Sequence, residues 1–348
     1  MTRTMTTTAR SELDRLITEV GLAAAAAQRR VAGVLFTYRC TISCRHCLFG
    51  CGGDRPDVVM SPRQLADALA MLHETGRVVH VAGGEPMMYW EALSEGIRLA
   101  YREDNAPHFI ETNCSFAVDE AVVAERLEFL AAHGVRGLLA SADPFHQEWV
   151  PPERFLMVRR YARVLFGEKN YWGSRADDEA IFKLREIAGD PERLREYTRA
   201  HPPVMVGTAQ RELARYLDSF APDDPSLPRI GWRRAVQSSN CLEQFRADTM
   251  WELHVDPYGN IQTNCGMVLG QIDRTRPVEV LARGPEHANR FVAVVCREGP
   301  LGLAQLARSE YGFEWPPRVS QGCELCYLAR RHLRRFHPEV FGPAEVYN

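Results

Sequence analysis

Val31-Ala-Gly-Val-Leu-Phe-Thr-Tyr-Arg-Cys40-Thr-Ile-Ser-Cys44-Arg-His-Cys47 joins a short apolar run directly to three cysteines spaced C-x3-C-x2-C. The run at 31–36 reads as a buried strand, so the three thiols fall on one loop at its C-terminal end. Thiolates hold iron–sulfur clusters, and three ligands leave one iron of a 4Fe-4S cluster open for a substrate or cofactor. The alternative is a structural zinc site, which needs four ligands and usually draws them from two close pairs. Cys51, four residues on, is the fourth ligand in that alternative.

Working outward, Val78-Val-His-Val-Ala82 reads as a second buried strand that runs straight into Gly83-Gly84-Glu85-Pro86. Glycines let backbone approach a ligand closely, and proline stiffens the turn. The carbonyls and amides of such a turn suit a charged amino-acid head group. Between the two strands, Ser61-Pro62 starts a helix as a cap followed by proline, with Leu65, Leu69 and Leu72 at helical spacing up to Gly76. The alternation continues, with a helix at 90–103, a strand at 107–112, a helix at 118–133, a strand at 137–141 and a helix at 152–166. It predicts a parallel sheet, doubly wound or closed toward a barrel, with ligands at the carboxyl ends of the strands in either case. Residues 168–202 are polar, and Pro203-Val-Met-Val206 before Gly207 reads as one more inner strand.

The cysteine triplet, with His46 in the aromatic position before its last member, and the Gly-Gly-Glu-Pro turn one strand–helix–strand unit later resemble the signature of the radical S-adenosylmethionine (SAM) superfamily. The resemblance spans roughly residues 31–345, more coarsely over 150–235. It implies an α/β fold, a partial (β/α)6 barrel, with a 4Fe-4S cluster on Cys40, Cys44 and Cys47 and SAM on its open iron. Reductive cleavage of SAM then yields a 5'-deoxyadenosyl radical that takes hydrogen from substrate. An electron donor such as flavodoxin or ferredoxin is implied with it. Gly83, Gly84, Glu85 and Pro86 would receive the amino group of SAM, and His46 would lie against adenine. Thr112 and Asn113 after the third strand and Ser141 after the fourth are expected SAM contacts. The plain readings are a capping or exposed histidine and ordinary turn capping.

Asp143, His146 and Glu148, in Asp-Pro-Phe-His-Gln-Glu, follow the fourth strand at the rim where catalytic side chains of barrels collect, and one of them is a candidate base. Asp-Pro is equally a turn that opens a helix. Cys114 stands where relatives usually have glycine and is a candidate hydrogen donor to a substrate radical; its plain reading is a small buried hydrophobe. Cys51 and Cys296 are weaker candidates for that role.

After the Pro/Asp-rich linker at 222–228 the character changes. Trp251-Glu-Leu-His-Val-Asp256 and Ile261-Gln-Thr-Asn-Cys265 flank Pro257-Tyr-Gly-Asn260, two alternating runs around a turn, which predicts a β-hairpin. Cys241, Cys265, Cys323 and Cys326 supply four thiols, compatible by spacing with zinc or a second cluster. They resemble the twitch domain of radical SAM dehydrogenases, which implies one auxiliary 4Fe-4S cluster. The expected organisation is an N-terminal extension at 1–30, a barrel at 31–235 and an auxiliary-cluster domain at 236–348. Arg330-Arg-His-Leu-Arg-Arg335 reads as a solvated helix end.

Composition bounds the rest. The chain has 348 residues, 45% hydrophobic and 25% charged, with a net charge of −3, so no nucleic-acid footprint is expected. The polar start, Met1-Thr-Arg-Thr-Met, lacks an apolar signal region, and ten cysteines then suit a reducing cytoplasm. Ala23 to Ala27 belong to a run far shorter than the ~20 apolar residues of a membrane span and read as a surface helix ending at Arg29-Arg30. The expected activity is dehydrogenation of a small polar metabolite in natural-product biosynthesis. Redox-neutral epimerisation or decarboxylation and modification of a ribosomal peptide are the alternatives, and a non-enzymatic zinc module is the contrasting class.

Overall fold

A computed structural model describes residues 7–222 and 241–347. The linker expected at 222–228, from residue 223 on, and the boundary expected near 236 lie outside the described residues. Eight strands form one sheet in the order β5-β4-β3-β2-β1-β6-β7-β8. They are β1 (Val31–Leu35), β2 (Val78–Ala82), β3 (Phe109–Thr112), β4 (Gly137–Ala140), β5 (Tyr171–Gly173), β6 (Glu252–Val255), β7 (Asn260–Thr263) and β8 (Val268–Gln271). The first five are parallel neighbours in chain order, and β6 joins parallel on the other side of β1. Six parallel strands with helical crossovers make the partial barrel. Two antiparallel strands extend it.

The crossover helices form where the apolar spacing places them. Pro62–His73 starts from a capping box between Ser61 and Gln64, and Glu120–Ala132 is capped by Asp119. Their apolar faces, Leu65, Leu69 and Leu72 on the first and Val123, Leu127 and Leu130 on the second, are buried in the core under the sheet. Trp90–Arg102 and Pro152–Phe166 complete the layer. The helix Leu22–Arg29 is not a simple surface element. Leu22, Ala25 and Ala26 are buried with Val31, Val78 and Phe109, the first residues of three strands, so it plugs the end of the barrel opposite the cysteine loop.

Two expectations are corrected. Residues 203–206 are not a strand, because Pro202 and Pro203 have no N–H for a ladder and the Met205 N–H is taken by the Gln321 side chain at 3.2 Å. The sixth parallel strand is β6, and the fifth is the three-residue β5, which the polar stretch 168–202 conceals. Among the described residues no helix is long and apolar enough to cross a membrane.

Candidate active site

Past the C-terminal ends of β1 to β4 lies a cavity of about 290 Å3. Its wall includes Cys40, Cys44 and Cys47 from the loop after β1, Gly83 and Gly84 after β2, Thr112 and Asn113 after β3, and Ser141 after β4. His46, Cys51, Glu111 and His146 also face it.

The glycine turn is built against the cysteine loop. The Gly84 N–H donates to the Thr37 carbonyl at 2.7 Å and the Glu85 N–H to the Arg39 carbonyl at 3.2 Å. A Cβ on Gly84 would stand 1.8 Å from the Arg39 oxygen, and Gly83 sits at φ 122° with 2.5 Å to the Thr37 oxygen. Both glycines are therefore required by backbone-to-backbone approach, in addition to any approach to a ligand. Glu85 is wholly buried and accepts from Met87 N at 3.0 Å, Thr112 Oγ1 at 2.9 Å and Asn113 N at 2.8 Å. Burial lifts its carboxyl to about 7 against these bonds. Pro86 is buried at the start of the short 3-10 turn that follows.

Thr112 and Asn113 are committed within the protein. The Thr112 hydroxyl donates to Glu85 and receives the Cys114 N–H at 3.0 Å. Asn113 Nδ2 donates to Cys40 Sγ at 3.4 Å and Thr41 Oγ1 at 3.1 Å. They hold the cysteine loop, the Glu85 turn and the end of β3 together at one corner of the cavity. The Ser141 N–H donates to the Thr112 carbonyl at 3.1 Å.

His46 stacks on Phe145, with centroids 4.7 Å apart, and lies 3.5 Å from Asp143 Oδ2. Burial lowers its pKa to about 4, so the ring is neutral. Asp143 caps the helix Pro144–Gln147, accepting from Phe145 N and His146 N, and its Oδ2 is 2.6 Å from His146 Nδ1. Burial opposes the charge on each partner, yet the close contact wins: the Asp143 carboxyl is held below its usual range and the His146 imidazole well above. Of the three rim candidates only His146 lines the cavity. Its ring hydrogen-bonds the Cys44 thiol, and that bond offsets part of the burial that raises the thiol's pKa. Asp143 orients that ring, and Glu148 pairs with Arg45 at 2.9 Å. With Asp143 capped and His146 protonated, neither is poised as a free base.

Cys114 is corrected more sharply. It has no exposed surface, belongs to the core and is absent from the cavity wall, so its thiol has no path to a substrate radical. Its φ of 65° lies in the left-handed region that glycine adopts most readily. Cys51 does face the cavity, and its N–H donates to Cys47 Sγ at 3.3 Å. Donation from the Cys51 thiol lowers the Cys47 pKa to about 6.

Sequence reasoning missed Glu111, the carboxylate among the lining residues. The available signal was a charge inside the otherwise apolar strand Phe109-Ile-Glu-Thr112. Phe145, which positions His46, was missed as well.

Cys241, Cys265, Cys323 and Cys326 line one separate small cavity, with Arg330 against it. Cys323 and Cys326 stand in the first turns of the helix Gly322–Leu333. Arg330 is not solvated: it is 1% exposed, and its Nη1 donates to the Cys265 carbonyl at 2.6 Å. All ten cysteines are thiols.

A parallel α/β sheet that brings three cysteines and a Gly-Gly-Glu-Pro turn to one cavity at its strand ends defines the class. Residues 34–165 match the family model of the radical SAM superfamily. Solved structures that the chain resembles include BtrN in complex with AdoMet and 2-DOIA and Streptococcus suis SuiB bound to S-adenosylmethionine. The first is 14% identical, covering 78% of this chain and 89% of that one with a TM-score of 0.43. The second is 11% identical, covering 97% and 86% with a TM-score of 0.31. No curated protein matches the sequence.

Proposed function

We propose that this protein is a radical SAM oxidoreductase that removes hydrogen from a small polar metabolite, dehydrogenating it within natural-product biosynthesis in a reducing cytoplasm. The observation that carries the reading is the single cavity shared by Cys40, Cys44, Cys47, the glycine turn, Asn113 and Ser141. The donor set fits the group: three soft thiols on one loop face a wall of backbone turn and small polar side chains. A cluster held by these thiols, together with SAM, would supply one-electron cleavage and hydrogen abstraction, and Cys241, Cys265, Cys323 and Cys326 would hold a second cluster able to take up the other electron.

The chain's own residues do the rest. Glu85, Thr112 and Asn113 lock the glycine turn to the cysteine loop, so that a SAM amino group meets a preformed surface. His46 offers a neutral ring for adenine, and His146 donates to the Cys44 sulfur. Ile42, Leu48 and Pro203 supply an apolar part of the cavity wall. Glu111, the carboxylate on the cavity wall, would accept a substrate proton, in the role first sought among Asp143, His146 and Glu148. A redox-neutral epimerase is the second reading, favoured by one observation: Cys51 is a cavity-facing thiol outside the triplet.

The test is anaerobic reconstitution with iron and sulfide counted per chain. About eight irons, falling to about four in a Cys40/Cys44/Cys47→Ala variant, is the expected result for two 4Fe-4S sites. About four irons falling to none, with zinc retained, would remove the auxiliary cluster and shift the reading to redox-neutral chemistry. Retention of turnover by Cys51→Ala would remove the epimerase reading.

A further inference from the structure

Below the cavity, on the floor of the barrel, three side chains converge that the proposed reaction does not use. His80 is the middle residue of β2, and Glu252 and His254 lie on β6. These strands flank β1, and the register pairs both His80 and His254 with Gly33. One ligand atom from each of the three lies within 4.8 Å of the others. Glu252 Oε1 is 2.9 Å from His80 Nε2 and 3.2 Å from His254 Nε2. Both histidines are almost wholly buried.

Gly33 keeps the space open. A Cβ there would stand 2.0 Å from His80 Nε2 and 2.9 Å from His254 Cδ2, so any side chain on β1 would drive the two rings apart. On its other side His80 presents Nδ1 to Glu111 Oε1 at 2.9 Å. Despite these short distances, neither ring nitrogen of His80 makes an aligned hydrogen bond, and nor does His254 Nδ1. Buried polar atoms need a partner, and a cation is the partner that two imidazoles and a carboxylate share. Without a metal, burial disfavours charge on His80 but Glu111 and Glu252 outweigh it and raise the imidazole to about 10, so a dication binding here takes the place of that proton between the two carboxylates.

We propose that His80, Glu252 and His254 form a divalent transition-metal site, with Glu111 as the outer carboxylate that orients His80 through Nδ1. Two imidazoles and a carboxylate suit zinc or ferrous iron, and a carboxylate behind the ligating histidine is the usual second layer of such sites. The ion ties β2 to β6 across β1. Through Glu111 it also sets one wall of the cavity above. None of the seven cysteines assigned to clusters takes part, and Glu111 is the one residue that the site shares with the cavity.

The experiment uses the full-length, anaerobically reconstituted protein, stripped of loosely held metal with a chelator, supplied with Zn2+ and desalted. Zinc and iron are then counted by plasma mass spectrometry. The wild type should retain one more zinc per chain than Glu252→Gln or His254→Gln, with the same iron in all three. Equal zinc in all three at equal iron overturns the site and leaves a proton-bridged charge network. A second arm needs only the wild type and so decides the matter if the variants do not fold. Co2+ bound at these residues gives d–d absorption without a thiolate charge-transfer band, whereas cobalt showing only thiolate signatures, or none retained, overturns the proposal.

Discussion

Gly84 shows how one missing side chain sets the site. Its Cβ position is occupied by the Arg39 carbonyl, which is backbone and cannot swing away, so Gly84→Ala must push the cysteine loop out of place. The expected outcome is loss of the iron held by Cys40, Cys44 and Cys47 with the C-terminal site still loaded, read as iron per chain. Glu85→Gln tests the buried tie: its amide group would face N–H donors, and one unsatisfied buried group costs about 1–3 kcal/mol. Chemical denaturation should show that loss, together with weaker SAM retention on an equilibrium column. Asp256 gives a pH signature. Burial lifts its carboxyl from 3.8 to about 6, even though it accepts from Tyr258 N, Asn260 N and Tyr38 Oη. A raised folded pKa means stability that is present below the unfolded value and lost as pH rises through the folded one. The stability of the wild type relative to Asp256→Asn should therefore fall, by on the order of 3 kcal/mol between about pH 4 and pH 7, in urea midpoints.

At the level of elements, β6 joins β1 across a long sequence gap, and one side chain pins the junction. Arg77, just before β2, donates to the carbonyls of Val31 at 3.2 Å, Met250 at 2.9 Å and Ala247 at 2.7 Å. Arg77→Met would leave those buried oxygens unpaired. A loss of roughly 2–4 kcal/mol is expected by denaturant titration. The hairpin that follows was legible because its turn carries its own chemistry: Asp256 Oδ1 accepts from Tyr258 N and Asn260 N, and Gly259 takes φ 80°. The helices at 62–73, 90–102, 120–132 and 152–166 were legible as well from their apolar spacing, and a side-chain cap, Ser61 or Asp119, opens the first and the third. The stretch 203–206 misled for the opposite reason. Its apolar residues fit a strand, but the prolines before it remove ladder donors, and its place is decided by Gln321, over a hundred positions away.

For the whole molecule, the continuous sheet is the fact with most consequence. The hairpin expected to found a separate domain continues the barrel sheet through β6 on β1. Removing residues 241–348 would bare the β1 edge and the apolar residues Leu253, Val255 and Ile261 pack against. The truncated chain should be insoluble or aggregated on size exclusion. A soluble, monomeric product would show that the barrel closes without β6.

The sequence by itself determined the chemistry-bearing motifs and the alternation of strands and helices. Cysteine spacing, glycine turns, caps and apolar period are local patterns, and local patterns survive without knowledge of the fold. Only the tertiary structure decided which of those residues share a cavity. Cys114 proved sealed in the core, Asp143 a cap that holds His146, and Arg330 a buried group against the C-terminal cysteines. Glu111 and the His80, Glu252 and His254 group lie on strands 78–82, 109–112 and 252–255, and each looks isolated in its own run. Parallel pairing across β1, with a glycine at the crossing point, brings His80, Glu252 and His254 together, and β3 beside β2 adds Glu111. Register between distant strands is a property of the packed sheet, and no single stretch of chain encodes it.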